Sequence, residues 1–143
     1  MIAVDTNILV YAHREDSAFH DEAYAVIRDL AEGSSAWAIP WPCIHEFLAI
    51  VTHPRIYARA TPLAAAMRQV NAWMESPTLR LLAEHADYWP RLQQVLSSAR
   101  VTGSQVHDAR IAAICLENGI TELLTADRDF GRFRALRVRN PLA

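Results

Sequence analysis

The chain has 143 residues, 52% hydrophobic and 21% charged, which suits one domain with a sizeable core and excludes a disordered segment. A formal net charge of −2 excludes bulk basicity as a means of holding nucleic acid, so any grip on phosphate must be local. All 14 basic side chains are Arg, a set that suits bidentate phosphate contact and that a biased genome would also produce.

The first stretch, Ile2-Ala3-Val4, reads as a short buried strand that stops at a carboxylate, Asp5. After it Ile8, Leu9, Tyr11 and Ala12 fall at helical spacing, so Asp5 stands where a strand feeds a helix. Arg14 to Ser17 is a polar turn with Asp16 or Ser17 as N-cap, followed by a helix over Ala18–Glu32 with Phe19, Ala23, Val26, Ile27 and Leu30 on one face. Gly33 ends that helix, and Trp37-Ala38-Ile39 is a strand stopped by Pro40.

From Trp41-Pro42 a helix runs through Glu46 to Val51, ending near Pro54, and a basic link carries Arg55 and Arg59. Thr61-Pro62 opens the next helix as N-cap and first residue, with Leu63, Met67, Val70 and Met74 as its stripe. Leu79–Leu82 is a strand, and Asp87 caps a helix with Trp89, Leu92, Val95 and Leu96 inward, Pro90 being tolerable in the first turn. Ser104–Glu117 is a helix closed by Asn118-Gly119. Glu122–Thr125 is a strand that runs into Ala126-Asp127-Arg128-Asp129-Phe130, and Leu136–Val138 is a last strand candidate. Alternating strands and helices over residues 1–143, without repeat or linker, imply one three-layer α/β/α domain on a mostly parallel sheet of about five short strands.

Cys43 and Cys115 have neither disulfide nor metal-ligand spacing and read as buried reduced thiols. No run approaches the ~20 apolar residues of a membrane span. The early acid stands where a secretory signal would be basic. The expectation is a soluble, cytoplasmic protein with no membrane contact.

Four acids stand out in the sequence. Asp5 and Asp127 follow strands, whereas Glu46 and Asp108 sit on apolar helices whose neighbours three and four residues away offer Glu46 and Asp108 no base. Each has a bland alternative: Asp5 as an N-cap, Glu46 on an exposed helix face, Asp108 stabilised by a helix dipole, Asp127 in an Asx turn. Asp129 serves as a cap or pairs with Arg128 or Arg132, with Asp127 taken as the site acid. In an open α/β sheet the strand C-termini share one edge, so all four acids can meet there. Carboxylates crowded without counter-charge raise one another's pKa. An all-oxygen set of this kind points to Mg²⁺, or Mn²⁺, rather than zinc. His45 and His107 adjoin the acids in sequence but should face elsewhere.

These residues resemble the PIN-domain ribonucleases and, more narrowly, the VapC-type toxins of bacterial toxin–antitoxin pairs. The resemblance rests on Val4-Asp5-Thr6-Asn7, on Glu46, on Asp108 within His-Asp-Ala-Arg-Ile-Ala-Ala, and on Leu-Leu-Thr-Ala-Asp-Arg-Asp-Phe ending at Phe130. It implies that Asp5, Glu46, Asp108 and Asp127 form a metal-binding catalytic quartet, with Asp5 and Asp108 the direct ligands. It also implies that Thr6 and Asn7 hold the first loop, that Thr125 and Asp129 support the last acid, and that the first and fourth strands are neighbours. The implied activity is Mg²⁺-dependent endonucleolytic cleavage of single-stranded or loop RNA, leaving 5′-phosphate and 3′-hydroxyl ends. The implied assembly is a homodimer, neutralised by a small antitoxin. Candidate RNA contacts are Arg55, Arg59 and Arg68, or Arg128 through Arg139. An aspartyl phosphatase is a weaker alternative, since Asn7 stands where a second Asp is wanted and the chain has no Lys. A non-catalytic RNA-binding module is another.

Overall fold

The apolar run at the N-terminus lies at the centre of a five-stranded sheet. In the computed structural model, which describes residues 1–143, the strands are β1 (Ile2–Val4), β2 (Trp37–Pro40), β3 (Leu79–Leu82), β4 (Glu122–Leu124) and β5 (Val138–Arg139). Their order is β3-β2-β1-β4-β5, and every pairing is parallel. Parallel strands covered on both faces need apolar side chains in both directions. Accordingly Ala3, Val4, Ala38, Ile39, Leu123 and Leu124 are all buried.

The helices are α1 (Thr6–His13), α2 (His20–Glu32), α3 (Trp41–Val51), α4 (Leu63–Met74), α5 (Tyr88–Ser98) and α6 (Gln105–Glu117). α1 packs on α2 and α3, α3 packs on α4, and α5 packs on α6. The chain steps from β1 to β2 to β3 in one direction and then crosses back past β1 to β4. Right-handed crossovers therefore set α1–α4 on one face of the sheet and α5–α6 on the other. The reversal makes the crevice between β1 and β4 the topological switch point, where open α/β sheets bind ligands. One contiguous core of 32 buried residues fills the layers. In it the Phe47 ring sits against Trp73 (centroids 4.8 Å apart) and His13 (5.3 Å). No helix is long and apolar enough to cross a membrane.

The strand over Leu79–Leu82 and the helix over Trp41–Val51 match the reading from sequence. Several inward faces do not. α4 buries Ala66, Val70 and Trp73, while Leu63, Met67 and Met74 are exposed. The helix carries two apolar stripes, and the one containing Trp73 wins because its indole fills the space against Phe47. Trp89 is exposed because it lies six residues before the buried Val95, about 120° round the helix from it. α2 starts at His20, so Phe19 is its N-cap residue and lies exposed, and neither Asp16 nor Ser17 caps it. Asp16 instead forms an ion pair with Arg14. The N-cap positions before α4, α5 and α6 are Pro62, Asp87 and Ser104, none with a side-chain cap bond, so Pro62 precedes α4 rather than opening it. The last strand is shifted to Val138–Arg139, leaving Leu136 as a core residue before it.

Candidate metal and nuclease site

The site begins with backbone pairing. The Asp5 N–H donates to the Leu124 carbonyl (2.9 Å), which carries the β1–β4 ladder one residue past Val4 and sets Asp5 beside Thr125. Asp5 has extended backbone and its carboxylate accepts from the Thr6 N–H (2.8 Å), so it is the N-cap of α1. It does more than cap. Its other oxygen accepts from the Thr125 hydroxyl (2.7 Å) and from Asn7 Nδ2 (3.4 Å), and the Cys43 thiol lies 3.6 Å from the first.

Thr125 explains how the two strand ends are locked. Its oxygen accepts from Asn7 Nδ2 and from the Asp127 N–H, both at 3.0 Å. A hydroxyl has two acceptor positions and one proton, so with both positions filled the proton goes to Asp5. Asn7 closes the loop by accepting from the Ala126 N–H (3.1 Å). Asp127 accepts from the Asp129 N–H (2.9 Å), the Asx turn read from sequence, and caps the 3₁₀ turn Arg128–Arg132. Asp129 therefore neither caps that turn nor pairs with Arg128 or Arg132; Arg132 reaches only its backbone carbonyl.

Glu46 comes from α3, which follows β2 without a break, and it accepts from the Thr6 hydroxyl (2.6 Å). Asp108 stands in the first turn of α6. That helix does not follow a strand directly, because α5 intervenes after β3. Asp5, Glu46, Asp108, Asp127 and Asp129 form no ion pair.

The electrostatics follow from this crowding. Burial pushes the Asp5 carboxyl up from 3.8 to about 6; the bonds from Thr125 and Thr6 oppose the rise, and the Glu46 charge adds to it. Asp108 is raised first by burial and then by the charges of Asp127, Glu46 and Asp129, with Arg132 as a weaker counterweight. The four acids from β1, α3, α6 and the turn after β4 thus share one electrostatic field at the strand C-termini.

Two tests bear on a metal ion here. The donor chemistry fits a hard divalent cation, since the groups are carboxylate oxygens that form no ion pair. The spacing is looser, because no three carboxylate, imidazole or thiol groups close on a common point. Asp5 is buried and held by four donors, whereas Glu46, Asp108 and Asp127 are half-exposed. His45 and His107 are exposed, as are Arg55, Arg59, Arg68 and Arg128. The residue that sequence reading missed is Cys43. It was legible only as three residues before Glu46 on one helix face, and nothing in its own surroundings marks it as a neighbour of Asp5.

Comparison with known proteins agrees with this fold. The PIN domain family model matches residues 2–136. Ribonuclease VapC43 of Mycobacterium tuberculosis is 35% identical over 142 residues, covering 99% of this chain and 96% of that protein. Among solved structures, VapBC2 from Rickettsia felis, bound to a DNA fragment of its promoter, superposes with a TM-score of 0.72 at 19% identity, covering 98% of each chain. VapC20 of Mycobacterium tuberculosis, a sarcin–ricin-loop-cleaving toxin, gives 0.67 at 20% identity over 92% of this chain and 93% of its own. Full-length likeness at this identity, on this fold, makes the chain a member of the PIN-domain family, in the VapC group.

Proposed function

We propose that this chain is a Mg²⁺-dependent endoribonuclease, the toxin of a toxin–antitoxin pair, which cuts single-stranded or loop RNA to leave 5′-phosphate and 3′-hydroxyl ends. The observation that carries this reading is the set of four unpaired carboxylates, Asp5, Glu46, Asp108 and Asp127, in one field at the switch point. Asp5, Asp108 and Asp127 would hold Mg²⁺, with Mn²⁺ an acceptable substitute. Glu46 would hold a second ion or orient the attacking water. Held there, a divalent cation would supply charge neutralisation at the phosphate, a lowered pKa for water and stabilisation of the leaving oxygen.

The rest of the work falls to the chain. Thr6 fixes Glu46 through its hydroxyl and Asp5 through its N–H. Thr125 and Asn7 hold Asp5 against the turn that carries Asp127, and the Asp129 N–H sets the Asp127 rotamer. Arg55, Arg59, Arg68 and Arg128 are the side chains proposed to meet the phosphates of RNA single strands or loops, whose unpaired backbone can be grasped.

The antitoxin partner is supported by the VapBC complex among the fold's neighbours, and a ribonucleolytic toxin by the names of VapC43 and VapC20. The exposed Leu63, Met67 and Met74 of α4 and Trp41 of α3 are apolar surface that a homodimer would cover. The proposed setting is the cytoplasm and the proposed unit one domain over 1–143. Brief induction followed by sequencing of 5′-phosphate RNA ends tests the reading. New ends at defined sites, missing in an Asp5→Asn control, are expected; equal end profiles would overturn it.

A further inference from the structure

Four donors converge on Asp5, and they differ in origin. The Thr6 N–H and Asn7 Nδ2 come from its own loop and the Thr125 hydroxyl from the end of β4. The fourth, Cys43 Sγ at 3.6 Å from Oδ1, comes from α3, the helix that carries Glu46 one turn later. Cys43 is fully buried, so its thiol has no water to bond. The neighbouring Thr6 hydroxyl spends its one proton on Glu46 at 2.6 Å. With that proton committed, Thr6 has none to give the thiol, and the hydrogen bond the thiol makes is its donation to Asp5 Oδ1. The contacts close into a ring: Asp5 to Cys43, along one turn of α3 to Glu46, from Glu46 to the Thr6 hydroxyl, and from the Thr6 N–H back to the same Asp5 oxygen.

We infer that Cys43 is a positioning residue for the acidic site, its buried thiol tying the orientation of the Asp5 carboxylate to the helix that presents Glu46. A thiol suits this place because it is a weak donor. It steers the carboxylate while leaving its oxygen open to a stronger partner, whereas a hydroxyl would hold tighter and an alanine not at all. Such outer contacts to metal-ligating groups characteristically tune affinity about 10- to 100-fold. The inference rests on the metal-site reading above, but the thiol contact exists without a metal, so the two can fail separately.

The test has two arms on the full chain. The first is infrared spectroscopy of the metal-free protein, in which S–H stretching bands stand clear of other protein absorption. Cys43→Ser and Cys115→Ala assign the two bands. The Cys43 band should lie at lower frequency than that of Cys115 and should move in Asp5→Asn. A Cys43 band that ignores Asp5→Asn would overturn the inference.

The second arm titrates Mn²⁺ into the RNA-free protein, followed by electron paramagnetic resonance, with melting curves alongside. Cys43→Ala should weaken Mn²⁺ binding about tenfold, and Cys43→Ser should restore it to within about threefold of the parent. Equal weakening in both variants, tracking a lost melting temperature, would mean that the thiol only packs. Unchanged binding in Cys43→Ala would overturn the proposal as well. If the parent chain itself binds no Mn²⁺, the metal-site reading fails while the infrared arm still decides the thiol contact.

Discussion

Replacing Asp5 by Asn separates the charge of this carboxyl from its shape. A carboxyl raised from 3.8 to about 6 is harder to ionise in the folded chain by roughly 3 kcal/mol. Because the folded pKa lies above the unfolded one, the folded chain binds the extra proton between about pH 4 and 6. The stabilising contribution is complete below about pH 4 and is lost as the pH rises through 6. Asn carries no charge, so the variant escapes this loss at pH 7.5. It has its own cost, since every neighbour of Asp5 is a donor and the new NH₂ must face some of them. That mismatch costs about 1–3 kcal/mol at any pH. The two effects nearly cancel at pH 7.5, and the variant falls behind by about 2 kcal/mol more at pH 4.5. Urea denaturation in chelator, parent and variant side by side across this range, measures the difference directly. A stability gap that does not change with pH, or that narrows on acidification, would refute the reasoning.

Three further outcomes follow from particular contacts. Asp108 makes no hydrogen bond or ion pair through its carboxylate and is raised by its acidic neighbours. Asp108→Asn should therefore leave metal-free stability unchanged or higher by less than about 1 kcal/mol in urea titrations, half-exposure screening the gain. A loss beyond 1 kcal/mol would give this acid a structural role. Thr125→Val removes the buried proton that reaches Asp5 and the acceptor of two N–H donors. It should cost about 2–4 kcal/mol, with most of that recovered in Thr125→Ser, as read by thermal melts. Met67→Glu puts a charge into the exposed α4 stripe and should convert the proposed dimer to monomer in light scattering without lowering the melting point of the chain; a variant with the parent's mass would contradict a dimer through this stripe.

The acids at strand ends were legible because the transition is abrupt: Val4 to Asp5 and Thr125 to Asp127 each break an apolar run with a carboxylate. Glu46 and Asp108 stood out through what their helices lack, namely a base three or four residues away. The α4 face was not legible. Leu63, Met67 and Met74 form as good an apolar stripe as Ala66, Val70 and Trp73, and only the fit of Trp73 to Phe47 decides between them. Trp89 failed for a related reason, since bulk alone does not place a side chain in phase with Val95. Cys43 was invisible as a site residue because its partner is 38 positions away and a thiol in an apolar helix reads as core. The links between Thr6 and Glu46 and between Asn7 and Thr125 likewise join residues 40 and 118 positions apart, so only the folded sheet edge displays them.

The central claim is that negative side chains from four parts of the chain form one cation-dependent site that cuts RNA. Its most direct measurement is cleavage of an end-labelled single-stranded RNA by the purified chain, freed of any partner, in Mg²⁺, in chelator, and with Asp108→Asn in Mg²⁺. Discrete cuts are expected with the parent chain in Mg²⁺ alone, falling at least 100-fold in the other two reactions. Cutting that persists in chelator, or that Asp108→Asn leaves intact, would contradict the account.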